Sequence, residues 1–231
     1  MQKILIKLSL NNATPEWERK FKKLLTDPFL KKKYNRERRI REKKAYINEN
    51  CPSLKTGGKT VLDIGPGPGE FLELCRHYGN RVFGIDAAPD DCEMGENYLK
   101  LSKMMCERQK LSVDYTGFSG KTKFYSNMID FINSQGAIEQ CFYDLLEGPP
   151  HRETHMAGLL SWKKGPEMHK RFIDMWTEFF RILTPGGNVM LYGNGTANTD
   201  LYDKVVQKTA EDCGFKLVWR KSNRFHKWRK A

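Results

Sequence analysis

Three glycines at alternate positions and two aspartates are the residues of this sequence whose types and spacing could do chemistry together. The stretch Thr60–Glu70 reads Thr-Val-Leu-Asp-Ile-Gly-Pro-Gly-Pro-Gly-Glu. Its first half is short, apolar and β-branched, which is typical of a strand buried on both faces, and the glycines then form a sharp turn. Apolar residues at helical spacing follow from Phe71. Because glycine lets the backbone approach a ligand and a helix N-terminus offers unpaired N–H groups, this corner predicts a ligand-binding turn.

The second aspartate ends the next predicted strand. Arg81-Val-Phe-Gly-Ile-Asp86 places Asp86 21 residues beyond Gly65. An acid about 20 residues past such a turn is suited to hold the hydroxyl pair of a ribose. A dinucleotide-binding turn would have its last glycine where this sequence has Glu70, so the pattern does not fit that class of site.

The pattern from Asp63 to Gly69, Asp-x-Gly-x-Gly-x-Gly, resembles the first motif of the class I S-adenosylmethionine-dependent methyltransferases. Two further stretches resemble the same family in the same order. One is the strand that ends in Asp86, and the other is Phe180–Tyr192, which looks like the family's helix, Pro-Gly-Gly turn and fifth strand. The resemblance covers about residues 61 to 192. It implies an α/β fold with a doubly wound, seven-stranded and mostly parallel sheet.

The resemblance also implies a cofactor, S-adenosyl-L-methionine, with S-adenosyl-L-homocysteine as the product. In the family the glycine turn shapes the pocket for the methionine half, and the acid that corresponds to Asp86 binds the ribose. The residues that the resemblance assigns to the cofactor are Asp63, Gly65, Pro66, Gly67, Gly69, Asp86 and Ala87. Since the sulfonium is already a strong electrophile, such an enzyme mainly has to place an acceptor atom in line with the methyl group.

The catalytic candidates come from the predicted end of the fourth strand. That strand is predicted at 141–147, and ligands of parallel sheets bind at the carboxyl ends of strands. If the acceptor is a hydroxyl, the candidates for a base are His151 and His155, with Glu147 behind them; the alternative is that they are surface loop residues. Gly148-Pro-Pro-His151 resembles the Asp/Asn-Pro-Pro-aromatic motif of the amino-methyltransferases of adenine and cytosine, but it departs from that motif at both ends.

The third strand has two candidates, residues 111–116 and residues 123–126. If residues 123–126 form the strand, Asn127 stands where the family often has an adenine-binding polar residue. The first candidate fits the family's spacing better and leaves an inserted helix before strand four, with the apolar residues Phe124, Met128, Ile129 and Ile132.

The N-terminal 52 residues are predicted to be a helical appendage to a Rossmann-like domain at 53–231. Thr14-Pro-Glu is a helix start with a capping hydroxyl, and Asp27-Pro28 should break this first helix and begin a second over 28–48. The appendage is expected to lie over the cofactor side, the alternative being a solvated charged helix without a partner. Further helices are predicted at 90–110 and 168–183, and a closing hairpin at 215–219 and 224–228.

The charge is concentrated at the two ends of the chain. The net charge of the 231 residues is +12; residues 31–44 contain nine Lys or Arg against two Glu, and residues 216–230 contain seven against none. Such segments can bind phosphates, although basic tails are often only solvated. We expect a small polar acceptor such as a sugar, a glycan precursor or another metabolite, with a nucleic acid as the alternative. A third possibility is a module that binds the cofactor without catalysis.

Cysteine usage and hydropathy limit the class of protein further. Six cysteines are present without any C-x-x-C pair. We therefore expect neither a metal site nor a disulfide framework, but reduced thiols and a cytoplasmic location. No apolar run approaches the roughly 18 residues of a membrane span. The length suits one sizeable domain with a short appendage, and the oligomeric state is left open.

Overall fold

A computed structural model describes residues 14–86, 96–115, 120–138, 165–192, 199–221 and 225–231. Within these ranges the chain forms seven α-helices, seven strands and a 3₁₀ turn at Pro52–Thr56. The helices are α1 (Pro15–Leu24), α2 (Pro28–Lys33), α3 (Arg36–Asn50), α4 (Glu70–His77), α5 (Glu96–Arg108), α6 (Gly165–Ile182) and α7 (Thr199–Asp212). The strands are β1 (Thr60–Ile64), β2 (Arg81–Ile85), β3 (Val113–Asp114), β4 (Ile129–Gln135), β5 (Leu183–Tyr192), β6 (Phe215–Lys221) and β7 (Phe225–Lys230).

The strands belong to one sheet with the order β3-β2-β1-β4-β5-β7-β6. The pairs β2 with β3, β1 with β4 and β4 with β5 are parallel, whereas β7 is antiparallel to both β5 and β6. Helices follow β1, β2 and β5, as expected for parallel strands joined by crossover connections. The predicted fold class, an α/β fold with a mostly parallel seven-stranded sheet, is confirmed.

The chain divides into two compact units. The first comprises residues 1–59 and 66–117, and the second comprises residues 60–65 and 118–231. The described part of the first unit contains α1 to α5 with β2 and β3, and that of the second contains β1, β4 to β7, α6 and α7. The division predicted from the sequence, at residues 52 and 53, stays a prediction, because compactness does not show which part folds alone.

The N-terminal helices begin where their capping residues predict. The side chains of Thr14 and Asp27 each accept a hydrogen bond from the backbone N–H three residues further on, at 3.2 and 3.1 Å. The prediction of one continuous helix over 28–48 was wrong, since α2 ends at Lys33. Asn35 caps the next helix, α3, by accepting a hydrogen bond from the backbone N–H of residue 38 at 2.9 Å. An Asn side chain in this position supplies the acceptor that a new helix start needs.

In the middle of the sheet the order of elements differs from the predicted one. β3 confirms the first of the two candidates for the third strand, and residues 123–126 form no strand. The predicted inserted helix was wrong, because its residues Ile129 and Ile132 belong to β4, which lies between β1 and β5. The fourth strand had been predicted too late, at 141–147, a segment outside the described residues. A short apolar run buried on both faces of a sheet can match helical spacing, which explains the error.

Asn127 has a structural role instead of the one that the second candidate would give it. Its φ of 55° lies in the left-handed region, and its Oδ1 accepts a hydrogen bond from Lys230 Nζ at 2.9 Å. The same ammonium donates to the carbonyl of Leu183 at 2.8 Å and lies 4.6 Å from the centre of the Phe180 ring. The end of β7 is thereby attached to the start of β4 and β5.

The second unit has an aromatic core. Trp176 of α6 packs against Trp228 of β7 and Phe215 of β6, with ring centres 5.8 and 4.9 Å apart. The predicted closing hairpin is confirmed, because β6 and β7 pair antiparallel. The predicted helices are also present, as α5 over the described part of 90–110 and as α6.

Candidate cofactor site

The glycine turn needs glycine for the conformation of its backbone. Gly65, Gly67 and Gly69 have φ values of 72°, 51° and 83°, in the region that L side chains rarely adopt. The backbone N–H of Gly69 donates to the carbonyl of Pro66 at 3.0 Å and closes the turn. Gly69 is the N-cap of α4, and no side chain caps this helix. The first-turn N–H groups of α4 are therefore not bound by a capping side chain.

Asp86 and the glycine turn lie together, as the resemblance implied. In the first unit the backbone N–H of Gly67 donates to Asp86 Oδ2 at 3.2 Å. Asp86 follows β2, and its own backbone N–H donates to the carbonyl of Asp114 at 2.9 Å, which fixes its position beside β3. The side chain is half-buried. A carboxylate can accept about four hydrogen bonds, so this group suits the hydroxyl pair of a ribose.

Two further polar side chains of the first unit lie at Gly67, and the sequence predicted neither. A Cβ built on Gly67 would lie 2.6 Å from the hydroxyl of Tyr98 on α5 and 3.8 Å from Nη2 of Arg39 on α3. Burial raises the pKa of Tyr98 to about 12, so its hydroxyl remains a donor at neutral pH. No motif in the sequence pointed to either residue, because they belong to helices far from the turn in the chain.

One buried and one partly buried ion pair attach α3 to the start of α4. Arg36 Nη2 lies 2.5 Å from Glu73 Oε2, and Arg39 Nε lies 3.1 Å from Glu70 Oε1. Burial raises the pKa of Glu73, and the neighbouring Arg36 opposes this rise. Both acids lie in the first turn of α4, where negative charge is favourable. The alternative of a solvated helix without a partner is therefore wrong for α3.

In the second unit, Asp63 lies at the end of β1 and is almost fully buried. Its Oδ1 accepts a hydrogen bond from the side-chain amide of Asn133 on β4 at 2.7 Å. Asn133 is a positioning residue that the sequence missed, because this segment was predicted as a helix. A Cβ on Gly65 would lie only 2.3 Å from the Cβ of Ala137, so packing also requires this glycine.

The predicted catalytic residues His151, His155 and Glu147 lie outside the described residues, as does Ala87 among the cofactor candidates. The catalytic candidates stay predictions, but the argument from the fourth strand no longer supports them, since β4 ends at Gln135. In the described part of the chain, no group of three or more His, Cys, Asp or Glu could hold a metal ion.

The sequence and the structure resemble known methyltransferases. Residues 62–148 match a family described as a methyltransferase domain. No curated protein matches the chain. A S-adenosylmethionine-dependent methyltransferase from Archaeoglobus fulgidus is 20% identical, with a TM-score of 0.51, over 81% of this chain and 72% of that one. A protein from Pyrococcus horikoshii OT3 is 15% identical, with a TM-score of 0.51, over 81% and 91%.

A putative sarcosine dimethylglycine methyltransferase from Galdieria sulphuraria is 16% identical, with a TM-score of 0.47, over 79% of this chain. The match covers 63% of that protein, which is less than two thirds of its length. Similarity at these identities shows the fold alone.

The stretch that matches the methyltransferase domain contains both the glycine turn and the acid that follows β2. Residues 62–148 therefore resemble a methyltransferase domain, and the sheet that contains them has the mostly parallel, seven-stranded form that the resemblance implies. Among the described residues, no helix has the length and apolar character needed to cross a bilayer.

Proposed function

We propose that this chain transfers the methyl group of S-adenosylmethionine to an oxygen or nitrogen atom of a small polar molecule, such as a sugar, a glycan precursor or another metabolite. The observation that supports a small acceptor is the attachment of α3 to α4 by the pairs Arg36–Glu73 and Arg39–Glu70. These pairs hold a helix beside the glycine turn. A covered turn suits a small molecule better than a long polymer.

The residues present in the first unit fit the cofactor. Glycine at position 67 allows the backbone to approach a ligand, and a side chain there would collide with Tyr98. Asp86 would accept hydrogen bonds from the ribose hydroxyls, and its contact with the N–H of Gly67 keeps its carboxylate at the turn. The bound cofactor supplies an electrophilic methyl carbon. The chain's main contribution is then to orient the acceptor, which can lower a barrier by roughly 7 to 11 kcal/mol.

The cofactor part of the proposal is tested by Asp86→Ala. A hydrogen bond to a charged acceptor contributes about 1.5 to 3 kcal/mol, so the variant should bind S-adenosylhomocysteine about 10 to 100 times more weakly in calorimetry. Asp174→Ala is a matched control, because Asp174 lies on the surface of α6 and pairs with Lys170. Unchanged affinity in a folded Asp86→Ala variant would remove Asp86 from the site.

The acceptor is tested by release of S-adenosylhomocysteine. The enzyme should form this product with a small hydroxyl or amine compound from a panel of sugars, sugar phosphates and amines, and not with RNA or DNA. Product formation with any acceptor would also exclude a module that binds the cofactor without catalysis. If only nucleic acids supported turnover, the small-acceptor proposal would be wrong.

A nucleic acid is the second candidate, and one observation favours it. Lys216 of β6 and Arg229 of β7 lie directly opposite each other and are both exposed. Neither forms an ion pair with an acid of the described residues. Like charges in opposite positions of paired strands are unfavourable unless an anion lies near them. Retention on RNA that falls steeply with salt, and a smaller salt slope in Lys216→Gln, would support this candidate.

A further inference from the structure

A groove in the second unit runs between residues 120–124 and the polar face of α6. Its volume is about 650 Å³, within the range of small-molecule sites. The helix contributes five side chains between Lys170 and Arg181, at the spacing that places them on one face. The opposite face of α6 carries Trp176 and Phe179 into the core. This helix therefore has one face that stabilises the fold and another that can bind a ligand.

The groove extends to the end of the sheet that lies opposite to the carboxyl ends of the parallel strands. The backbone N–H of Asn127, just before β4, donates to the carbonyl of Arg181 at 3.0 Å. Arg181 therefore lies at the amino end of β4. Asp63 lies near the carboxyl end of β1, which is parallel to β4. Since parallel sheets bind their main ligands at the carboxyl ends, a ligand held by Arg181 would be a different one.

The guanidinium of Arg181 is fixed on one side and open on another. Its Nε and Nη2 donate to the two carboxylate oxygens of Glu178 at 2.7 and 2.6 Å, and Nη2 also donates to the carbonyl of Phe124 at 2.9 Å. Glu178 is held in turn by the backbone N–H and the hydroxyl of Thr122, at 2.8 and 2.6 Å. Among the described residues, Nη1 has only a long contact of 3.4 Å with Ser126 Oγ. Because the Arg181 side chain is 38% exposed, a ligand can reach this preorganised donor.

The acids of the groove already have cationic partners, whereas one lysine has no acid. Burial would raise the pKa of Glu178, but the hydrogen bonds it accepts lower the pKa overall, so the ionised carboxylate balances Arg181. Asp174 pairs with Lys170. Lys121 is exposed and forms no ion pair within the part of the chain that the structure describes. The lining of the groove therefore has one positive charge in excess, which an anion would complement.

We propose that this groove binds the carboxylate or phosphate group of a small molecule other than the cofactor. Arg181 Nη1 and the Lys121 ammonium donate hydrogen bonds to the anionic group, and such charge-assisted hydrogen bonds are stronger than neutral ones. The ring of Phe124 lines the same groove and suits an apolar part of the ligand. The inference goes beyond the proposed function and does not depend on it.

The experiment measures dissociation constants of three probes by NMR titration of the full chain: phenyl phosphate, benzoate and the neutral benzyl alcohol. At least one anionic probe should bind with a dissociation constant on the order of 1 mM, and benzyl alcohol should bind at least about ten times more weakly. The constants should be the same with and without saturating S-adenosylhomocysteine, since the two sites are separate. Binding of one anionic probe alone would assign the ligand to the phosphates or to the carboxylates.

Lys121→Gln should weaken the anionic probe about 3 to 10 times and leave benzyl alcohol unchanged. Lys123→Gln is the matched control, because Lys123 is exposed on the same segment but does not line the groove. It should stay within about twofold of the wild type. Arg181→Lys keeps the charge but removes the planar donor, and it should also weaken the anionic probe. If Arg181→Lys does not fold, the comparison of the two lysine variants still decides.

Four results would overturn the inference. Equal weakening in Lys121→Gln and Lys123→Gln would show a general effect of surface charge. Competition with S-adenosylhomocysteine would place the probes in the cofactor site. Equal affinity for benzyl alcohol and the anionic probes would remove the anion from the recognition, and absence of binding by both anionic probes would remove the site. Failure of the proposed function is distinct, because it concerns the binding of S-adenosylhomocysteine and not that of these probes.

Discussion

The two units of the molecule bury different kinds of side chain. The first unit buries two glutamates, and each forms an ion pair with an arginine of α3 beside the glycine turn. The core of the second unit contains the largest aromatic side chains, and Trp176, Phe179 and Trp228 are completely buried. This unit also buries Glu178, but the arginine that pairs with it, Arg181, is 38% exposed. Its buried Lys230 has neutral hydrogen-bond partners and an aromatic ring as its neighbours.

This difference separates residues that stabilise the fold from residues that serve binding. Well-packed apolar residues often stabilise a protein as much as a buried ion pair does, because the pair loses its hydration. The ion pairs of the first unit are therefore weak evidence for stability, and their position at the turn favours a role in binding. Burial of the large aromatic side chains stabilises the second unit, because it removes apolar surface from water. Changes in the second unit should accordingly alter the free energy of unfolding, and changes in the first should alter cofactor affinity.

The largest expected effect is that of Trp228→Ala in the second unit. Trp228 is completely buried between β5 and β6 and contacts Trp176, so its removal leaves a cavity. We expect the free energy of unfolding to fall by about 3 to 5 kcal/mol in denaturant titrations. Trp219→Ala on the neighbouring strand is the control. Because Trp219 is partly exposed, this substitution should lower the free energy of unfolding much less. Equal losses in the two variants would contradict an aromatic core centred on Trp176 and Trp228.

A smaller loss of stability is expected at acidic pH, because His226 of β7 is buried. Burial lowers the pKa of His226 to about 4, and the nearby Arg220 adds to this shift. The unfolded chain takes up a proton near pH 6.5, and the folded chain does so only near pH 4. Stability from the neutral imidazole is thus present above pH 6.5 and is lost as the pH falls towards 4, on the order of 3 kcal/mol in total.

Carboxylates also titrate in this range, so the measured quantity is the difference between the wild type and His226→Gln. The free energy of unfolding of the wild type should fall more steeply between pH 6.5 and 4 than that of the variant. Parallel pH profiles for the two proteins would show that His226 titrates normally, and would remove it from the buried core.

The glycine turn and the acid beside it could be predicted from the sequence because the required features are local. Glycines at fixed intervals, an apolar run before them and an acid about 20 residues later all depend on backbone conformation and on the strand that follows. The positive φ values of the glycines and the contact between Gly67 and Asp86 agree with this prediction. The fold class also followed, because the resemblance over residues 61–192 implies a seven-stranded, mostly parallel sheet.

The rest depends on contacts between residues that are distant in the chain. Arg39 meets Glu70 only because α3 packs on α4, and no periodicity in the sequence expresses that contact. Asn133 was assigned to a helix because the apolar residues around it match helical spacing as well as they match a buried strand. The break before α3 was visible in principle, since Asn35 is a good N-cap residue.

The smallest expected effect is that of a substitution on the solvent side of α3, the helix that also supplies the two arginines beside the glycine turn. Arg36, Arg38 and Arg39 are neighbours on α3, but Arg38 lies on the solvent side, where it pairs with Glu42 at 3.3 Å and both side chains are more than half exposed. Exposed pairs of this spacing contribute about 0.3 to 0.5 kcal/mol, and an arginine that precedes the acid is the weaker order. Arg38→Gln should therefore change the free energy of unfolding by less than about 0.5 kcal/mol and leave the affinity for S-adenosylhomocysteine unchanged. If Arg38→Gln weakened binding as much as Asp86→Ala, general positive charge on α3 would affect affinity, and the difference between the solvent side and the turn side of this helix would not hold.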